Sequence, residues 1–162
     1  MKLEIGAGEA AGNNPDWKYS DVRAVPGVDF VCNAWDIDEH VEDNVVEKIY
    51  SRHFFEHVTF RQGEVVLEKW LKIMKPGGVC EMMLPNMDFH VKQYVTGNKP
   101  EHCRAGFWGW QRGEFEEVWD VHKSGYNVKS LSALVKSKGF VNYKSLRSTS
   151  DKHLHVTFEK AV

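Results

Sequence analysis

LEIGAGEAA (Leu3–Ala11) decides the fold: an apolar strand, Leu3 to Ile5, runs straight into a bend made of Gly6, Ala7 and Gly8. Gly6 permits a tight turn, and Gly8 lets backbone approach a ligand with no Cβ in the way. Outward from the bend, short apolar runs alternate with helical patterns, the grammar of a parallel sheet covered on both faces. A second strand ends near Asp21, around Tyr19 to Arg23; Val28 to Cys32 is a third and Val45 to Ser51 a fourth. Residues 62–75 carry a helical stripe through Val66, Trp70, Ile73 and Met74, closed by Lys75-Pro76-Gly77-Gly78. Val79 to Leu84 reads as a fifth strand, stopped by Pro85. Asn127 is an N-cap for a helix through Leu131, Leu134 and Val135 that ends at Gly139, and Phe140 to Leu146 is a sixth strand. After the turn Ser148-Thr149-Ser150-Asp151, the residues Leu154, Val156 and Phe158 alternate with polar ones. That alternation predicts a reversed seventh strand in an antiparallel hairpin at one edge. The expected α/β architecture is therefore three-layered, a mostly parallel seven-stranded sheet with one antiparallel edge strand. Residues 1–162 show no repeat or linker and read as one domain. Asn86 to Tyr126 resists assignment, because its many aromatic residues follow no clear period.

The bulk numbers narrow the class. A chain of 162 residues, 42% hydrophobic and 27% charged, is neither a disordered segment nor a disulfide scaffold. A formal net charge of −2 provides no global field toward nucleic acid or an anionic membrane. The longest apolar runs fall far short of the ~18 residues that span a bilayer. Glu4 stands where a secretory signal needs an apolar core, and three widely spaced cysteines imply reduced thiols; both point to the cytoplasm.

In open α/β sheets, ligands bind beyond the carboxyl ends of strands, near the switch in strand order. Residues 6–11 lie at such an end and match the dinucleotide fingerprint, with Ala in the third glycine position. That fingerprint needs a helix starting at once, so that its amides hold a pyrophosphate. Here Gly12-Asn13-Asn14-Pro15 interrupts, and the ~10 residues before the next strand leave a first helix shortened or absent. Asp21 also follows the glycines sooner than the ~20 residues expected. A carboxylate there still takes both hydroxyls of a ribose, so a ligand with a ribose but no pyrophosphate fits better. An NAD-dependent oxidoreductase is a distant alternative.

Taken in order, Glu4-Ile5-Gly6-Ala7-Gly8, Asp21, Ser51-Arg52-His53-Phe54-Phe55-Glu56-His57 and Lys75-Pro76-Gly77-Gly78 resemble the class I S-adenosylmethionine-dependent methyltransferases. Gly109-Trp110-Gln111, His122-Lys123-Ser124-Gly125-Tyr126 and Lys138-Gly139-Phe140 are similar to the small subgroup associated with polysaccharide and lipopolysaccharide synthesis. The resemblance implies a Rossmann-like fold and S-adenosyl-L-methionine as cofactor. It implies that Gly6, Ala7 and Gly8 pass under the methionine part, with Glu4 bracing the turn. Asp21, followed by Val22, would hold the ribose, and Asn33 would meet the adenine amino group between Ala34 and Trp35. Ser51, Arg52 and His53 would line the transfer site. Three features depart from the family: Ala10 replaces a third glycine, Asn33 replaces an Asp, and the N-terminal helices that usually cover the cofactor are expected to be missing.

His53-x-x-Glu56-His57 also matches the inverted zinc-protease signature. On a helix, both histidines would share one face, with Glu56 as base. No third ligand stands at a fixed spacing, so no metal is expected, and Glu56 and His57 are read as structural. A sulfonium methyl is already electrophilic, so the protein has mainly to align acceptor, methyl and sulfur. His53, at the end of strand four, is the first candidate for a general base, and His122 the second. The aromatic stretch from Phe107 to Tyr126 would form an acceptor wall or lid, with Trp108, Trp110 and Trp119 able to stack on sugar faces. The expected partner is a small-molecule or glycan acceptor, with no nucleic acid and no membrane; a homodimer is compatible with the sequence. A methyltransferase fold that binds the cofactor or a nucleotide without catalysis is the main alternative.

Overall fold

Leu3 and Ile5 are buried and alternate with half-buried Lys2 and Glu4 in β1 (Lys2–Ile5), the strand from which the sheet is laid out. In the computed structural model, which describes residues 1–113 and 120–162, six further strands follow. They are β2 (Trp17–Asp21), β3 (Phe30–Val31), β4 (Val46–Arg52), β5 (Met74–Pro85), β6 (Phe140–Ser145) and β7 (His153–Lys160). Their order in the sheet is β3-β2-β1-β4-β5-β7-β6. Neighbours from β3 through β5 are parallel, whereas β7 runs antiparallel to both β5 and β6. Six strands thus share one direction and one is reversed. The reversed strand belongs to the edge hairpin, as its alternation implies, but β6 is outermost and β7 lies one place inward.

The crossover from β1 to β2 holds a single 3₁₀ turn, Gly8–Ala10, where a full helix would need more chain than Asn13, Asn14 and Pro15 leave. Beyond β4, α1 (Phe60–Ile73) opens with a reciprocal cap: Thr59 accepts from the Gln62 N–H and the Gln62 side chain accepts from the Thr59 N–H. Its Val66, Leu67, Trp70 and Ile73 are fully buried, each worth roughly 1.5–3 kcal/mol of hydrophobic stabilisation. This helix stops at Ile73, before the Lys75-Pro76-Gly77-Gly78 segment expected to end it. Met74 is already extended and pairs with Val46, while Val79 pairs with Lys48, so residues 75–78 bulge out of β5. Asn127 caps α4 (Val128–Ser137) reciprocally with Ser130, at the position its sequence indicates.

Two helices fill much of the unassigned segment: α2 (Met87–Thr96), capped by Asn86, and α3 (Pro100–Trp108), with Pro100 in its first turn. Their buried residues are His90, Gln93, Cys103, Ala105 and Gly106, none of them a large aliphatic. Helix α3 approaches α2 closely because Gly106 lies against the His90 ring, where a Cβ would overlap it. Asn86 itself is fully buried and ties α2 to the β6–β7 connection, donating to the carbonyls of Thr149 and Asp151. No helix among the described residues is long and apolar enough to cross a membrane.

Candidate functional site

The strand order reverses between β1 and β4, and a cavity of about 380 Å³ opens beyond the carboxyl ends of the strands there. Ile5 and Gly6 after β1, Asp21 to Arg23 after β2, Asn33 to Trp35 after β3, and His53 and Phe54 after β4 line it. Its volume falls within the ~300–1,000 Å³ of small-molecule sites.

The glycine bend is held by its neighbours. Gly6 and Gly8 have φ of +72° and +54°, the left-handed region in which a side chain is strained. A Cβ at Gly6 would overlap Phe54, and one at Gly8 would come 3.0 Å from the Arg23 guanidinium. Asp21, only 7% exposed, pins the bend: its Oδ2 accepts from the Gly8 N–H at 2.8 Å. Its Oδ1 accepts from the Arg23 N–H at 2.9 Å and the Arg23 Nε–H at 3.1 Å. Burial raises the Asp21 carboxyl, but the bonds from Arg23 and Gly8 outweigh it and hold the group below its ordinary range. A carboxylate has about four lone-pair directions, so only one acceptor position stays open while Arg23 keeps its place. The Arg23 side chain is 42% exposed, so solvent can take the place of its bond to Asp21.

Asn33 donates through Nδ2 to Asp36 at 3.0 Å, which leaves its carbonyl oxygen as the atom available to an amine. Val22, Ala34 and Trp35 join it on the cavity wall. The remaining expected residues sit outside the lining. Ala7 is buried against Ala11 and Tyr19, and Gly8 reaches the site only through its N–H to Asp21. Ser51 is fully buried with its hydroxyl unpaired among the described residues, and Arg52 is exposed. The Glu4 side chain makes no hydrogen bond to the turn among the described residues; burial raises its carboxyl, partly offset by the nearby Arg52 charge.

His53 lines this cavity and also a second one of about 520 Å³. Six of the eight histidines border the second cavity, so its wall offers imidazoles rather than the apolar surface of a lipid site. His53 has φ of +50°, its N–H donates to the Met83 carbonyl, and its Nδ1 lies 3.3 Å from Glu56 Oε1. His122 is here too, with Nδ1 3.0 Å from the Gly106 carbonyl. Burial lowers its pKa, against the opposing pull of Glu56 and the Gly106 bond. His53 and His57 do not share a helical face, because the helical turn here is only the 3₁₀ segment Phe55–His57. His57 does bond a neighbouring loop, through Nδ1 to the Val121 carbonyl at 3.0 Å. Of the aromatic residues expected in a wall or lid, Trp110 borders the second cavity, Trp108 borders a different hollow beside Tyr94, and Tyr126 is core. Phe115 and Trp119 lie outside the described residues.

The strand order and the single reversed strand make a Rossmann-like fold, and the solved structures that share it include S-adenosylmethionine-dependent methyltransferases. Among solved structures the chain is similar to a possible histamine N-methyltransferase from Thermotoga maritima, with a TM-score of 0.67 and 15% identity, over 99% of this chain and 81% of that one. It is similar also to the CurJ carbon methyltransferase, with a TM-score of 0.65 and 14% identity; it is matched over 99% of its length but spans only 48% of that protein. A third is the 1,6-didemethyltoxoflavin-N1-methyltransferase of Burkholderia thailandensis, solved with bound S-adenosylhomocysteine, with a TM-score of 0.62 and 11% identity over 99% and 71% of the two chains. At such identities the likeness is one of fold. No family profile and no curated protein sequence matches this chain.

Proposed function

We propose that the protein is an S-adenosyl-L-methionine-dependent methyltransferase that methylates an oxygen or nitrogen of a small or glycan-like acceptor. The observation that carries this reading is the pair of adjoining cavities with His53 in the wall of both. The first has the Asp21 carboxylate and the Asn33 amide on its wall, groups a nucleoside can use, and the second, bordered by six histidines, has about 520 Å³ for an acceptor. The residues fit the cofactor with one adjustment: with Arg23 Nε off Oδ1, Asp21 would take both ribose hydroxyls, and the Asn33 carbonyl would accept from the adenine amine. The cofactor supplies an electrophilic methyl group. The chain's part is to hold the acceptor in line, exclude water and take up a proton. A carboxylate only accepts, so the proton shared by His53 and Glu56 sits on His53 Nδ1, and Nε2 is the atom left to act as base. His122 is the second candidate. The glycan-type acceptor rests on the sequence resemblance and on the histidine-rich wall of the second cavity; a cytoplasmic setting fits the unpaired thiols.

Thermal shift with S-adenosylmethionine, S-adenosylhomocysteine and NAD tests this. At ~100 times its dissociation constant a ligand stabilises by about 2.7 kcal/mol, several degrees for a chain of this size. A shift with the first two alone is expected. A shift with NAD alone, or with none, overturns the reading, and binding without turnover on any acceptor points to a non-catalytic cofactor-binding protein.

A further inference from the structure

The side-chain cluster around Glu56 is built like a coordination sphere. Glu56, His57 and His122 each present one donor atom within 4.8 Å of the other two. Glu56 is 1% exposed, and its Oε2 has no hydrogen-bond partner among the described residues. A buried carboxylate oxygen left without a donor costs free energy unless a cation or donor reaches it.

The two imidazoles are already oriented. His57 Nδ1 lies 3.0 Å from the Val121 carbonyl and His122 Nδ1 3.0 Å from the Gly106 carbonyl. A carbonyl only accepts, so each Nδ1 carries the hydrogen, and the lone pair of each neutral ring is on Nε2. Histidine ligands of metals are commonly fixed in this way, the second nitrogen donating to a backbone carbonyl. His57 Nε2 stands 4.0 Å from Glu56 Oε1, and the two rings lie 5.1 Å apart at 75°. Donors at about 2.0–2.2 Å from a tetrahedral ion are roughly 3.4 Å apart, so closure asks each side chain to move by about 1 Å or less.

We infer that Glu56, His57 and His122 form a binding site for one divalent transition-metal ion, with zinc the best match to two imidazoles and a carboxylate. Three ligands among the described residues leave a tetrahedral position to fill, and all three line the second cavity together with His53. Under the function proposed above, an acceptor oxygen would take that position. His122 then serves as a ligand, and proton uptake stays with His53. The sequence hides this site because His122 lies far along the chain from His57 and arrives through the fold.

The test is a titration of chelator-treated protein with Co(II) and Zn(II) alone. One equivalent of Co(II) should give tetrahedral-type visible bands that Zn(II) bleaches. Glu56→Gln, His57→Ala and His122→Ala should each weaken binding by more than about 100-fold, beyond what loss of a mere orienting partner costs. His102→Ala, on the same cavity wall, should leave it unchanged. Nitrogen-15 spectra of the wild-type imidazoles provide a readout independent of any variant's folding: Zn(II) should shift two Nε2 signals while both Nδ1–H protons persist. Absence of one-equivalent binding, unaltered Nε2 signals, or affinity unaffected in folded Glu56→Gln would overturn the site. S-adenosylhomocysteine titrated into the metal-free protein tests the cofactor reading separately, so either can fail alone.

Discussion

Under the proposed function, replacing Asp21 should cost stability as well as cofactor binding, because the same carboxylate holds the glycine bend together. Asp21→Ala removes the acceptor of the Gly8 N–H at 2.8 Å and of the Arg23 N–H at 2.9 Å. The bond to the Arg23 guanidinium adds little, since that side chain is 42% exposed. Two part-buried amides losing a charged acceptor cost about 2–3 kcal/mol together. At ~2–4 °C per kcal/mol, Tm should fall by roughly 5–10 °C. Asp21→Asn keeps the shape and one acceptor oxygen and should lose about half as much. The carboxyl's folded pKa lies below its unfolded value, so its contribution is complete above the ordinary Asp pKa of ~3.9 and disappears as pH falls through the folded one. Calorimetry from pH 2.5 to 7 should therefore show wild type and Asp21→Asn converging at the acid end. An Asp21→Ala variant that melts within a degree of wild type, or a gap that persists unchanged to pH 2.5, would refute the reasoning.

Asn86→Ala should destabilise by about 2–4 kcal/mol in urea denaturation, because it orphans the Asp88 N–H and two carbonyls of the β6–β7 connection; hydrogen exchange should rise first at residues 149–153. Gly63→Ala gains ~1 kcal/mol of helix propensity. Its Cβ would, however, lie 2.9 Å from Phe55 Cζ in a fully buried contact, and overpacking of ~1–3 kcal/mol should leave the variant less stable; a raised denaturation midpoint contradicts this. Burial, helped by the nearby His102, pushes His90 down to about 4. Between the ordinary His pKa of ~6.5 and that value only the unfolded chain takes the proton, so stability should fall by up to about 3 kcal/mol as pH drops across the window. His90→Gln, with no proton to gain, should flatten that part of the pH profile.

The parts of the fold that sequence reveals are those whose packing is apolar and periodic. Leu3 and Ile5 before the bend, the stripe of α1 and the alternation of β7 each point to their element unaided. The α2–α3 pair stays hidden because it buries His90, Gln93 and Gly106 while exposing Tyr94 and Val95, the reverse of an amphipathic pattern. The early end of α1 is hidden for another reason: whether Met74 continues a helix or starts a strand is settled by Val46, a partner 28 residues earlier. In the site, the bend and Asp21 are legible because backbone freedom and a carboxylate at a strand end have local meaning, whereas Asn33 and His53 follow from the family resemblance. Which of them share a cavity depends on three crossovers. That Arg23 would cover Asp21, and that His122 would meet Glu56, no local pattern could say.

The position of β7 carries a consequence for how the molecule is made. Residues 153–160 leave the ribosome after the other six strands of this sheet, yet both of their edges are paired, to β5 on one side and β6 on the other. Until they arrive, the β5 backbone is a bare template open to stray extended chains. A nascent chain halted before His153 is thus two unfinished pieces, and a separate peptide of sequence HLHVTFEK is the natural complement for bringing them together.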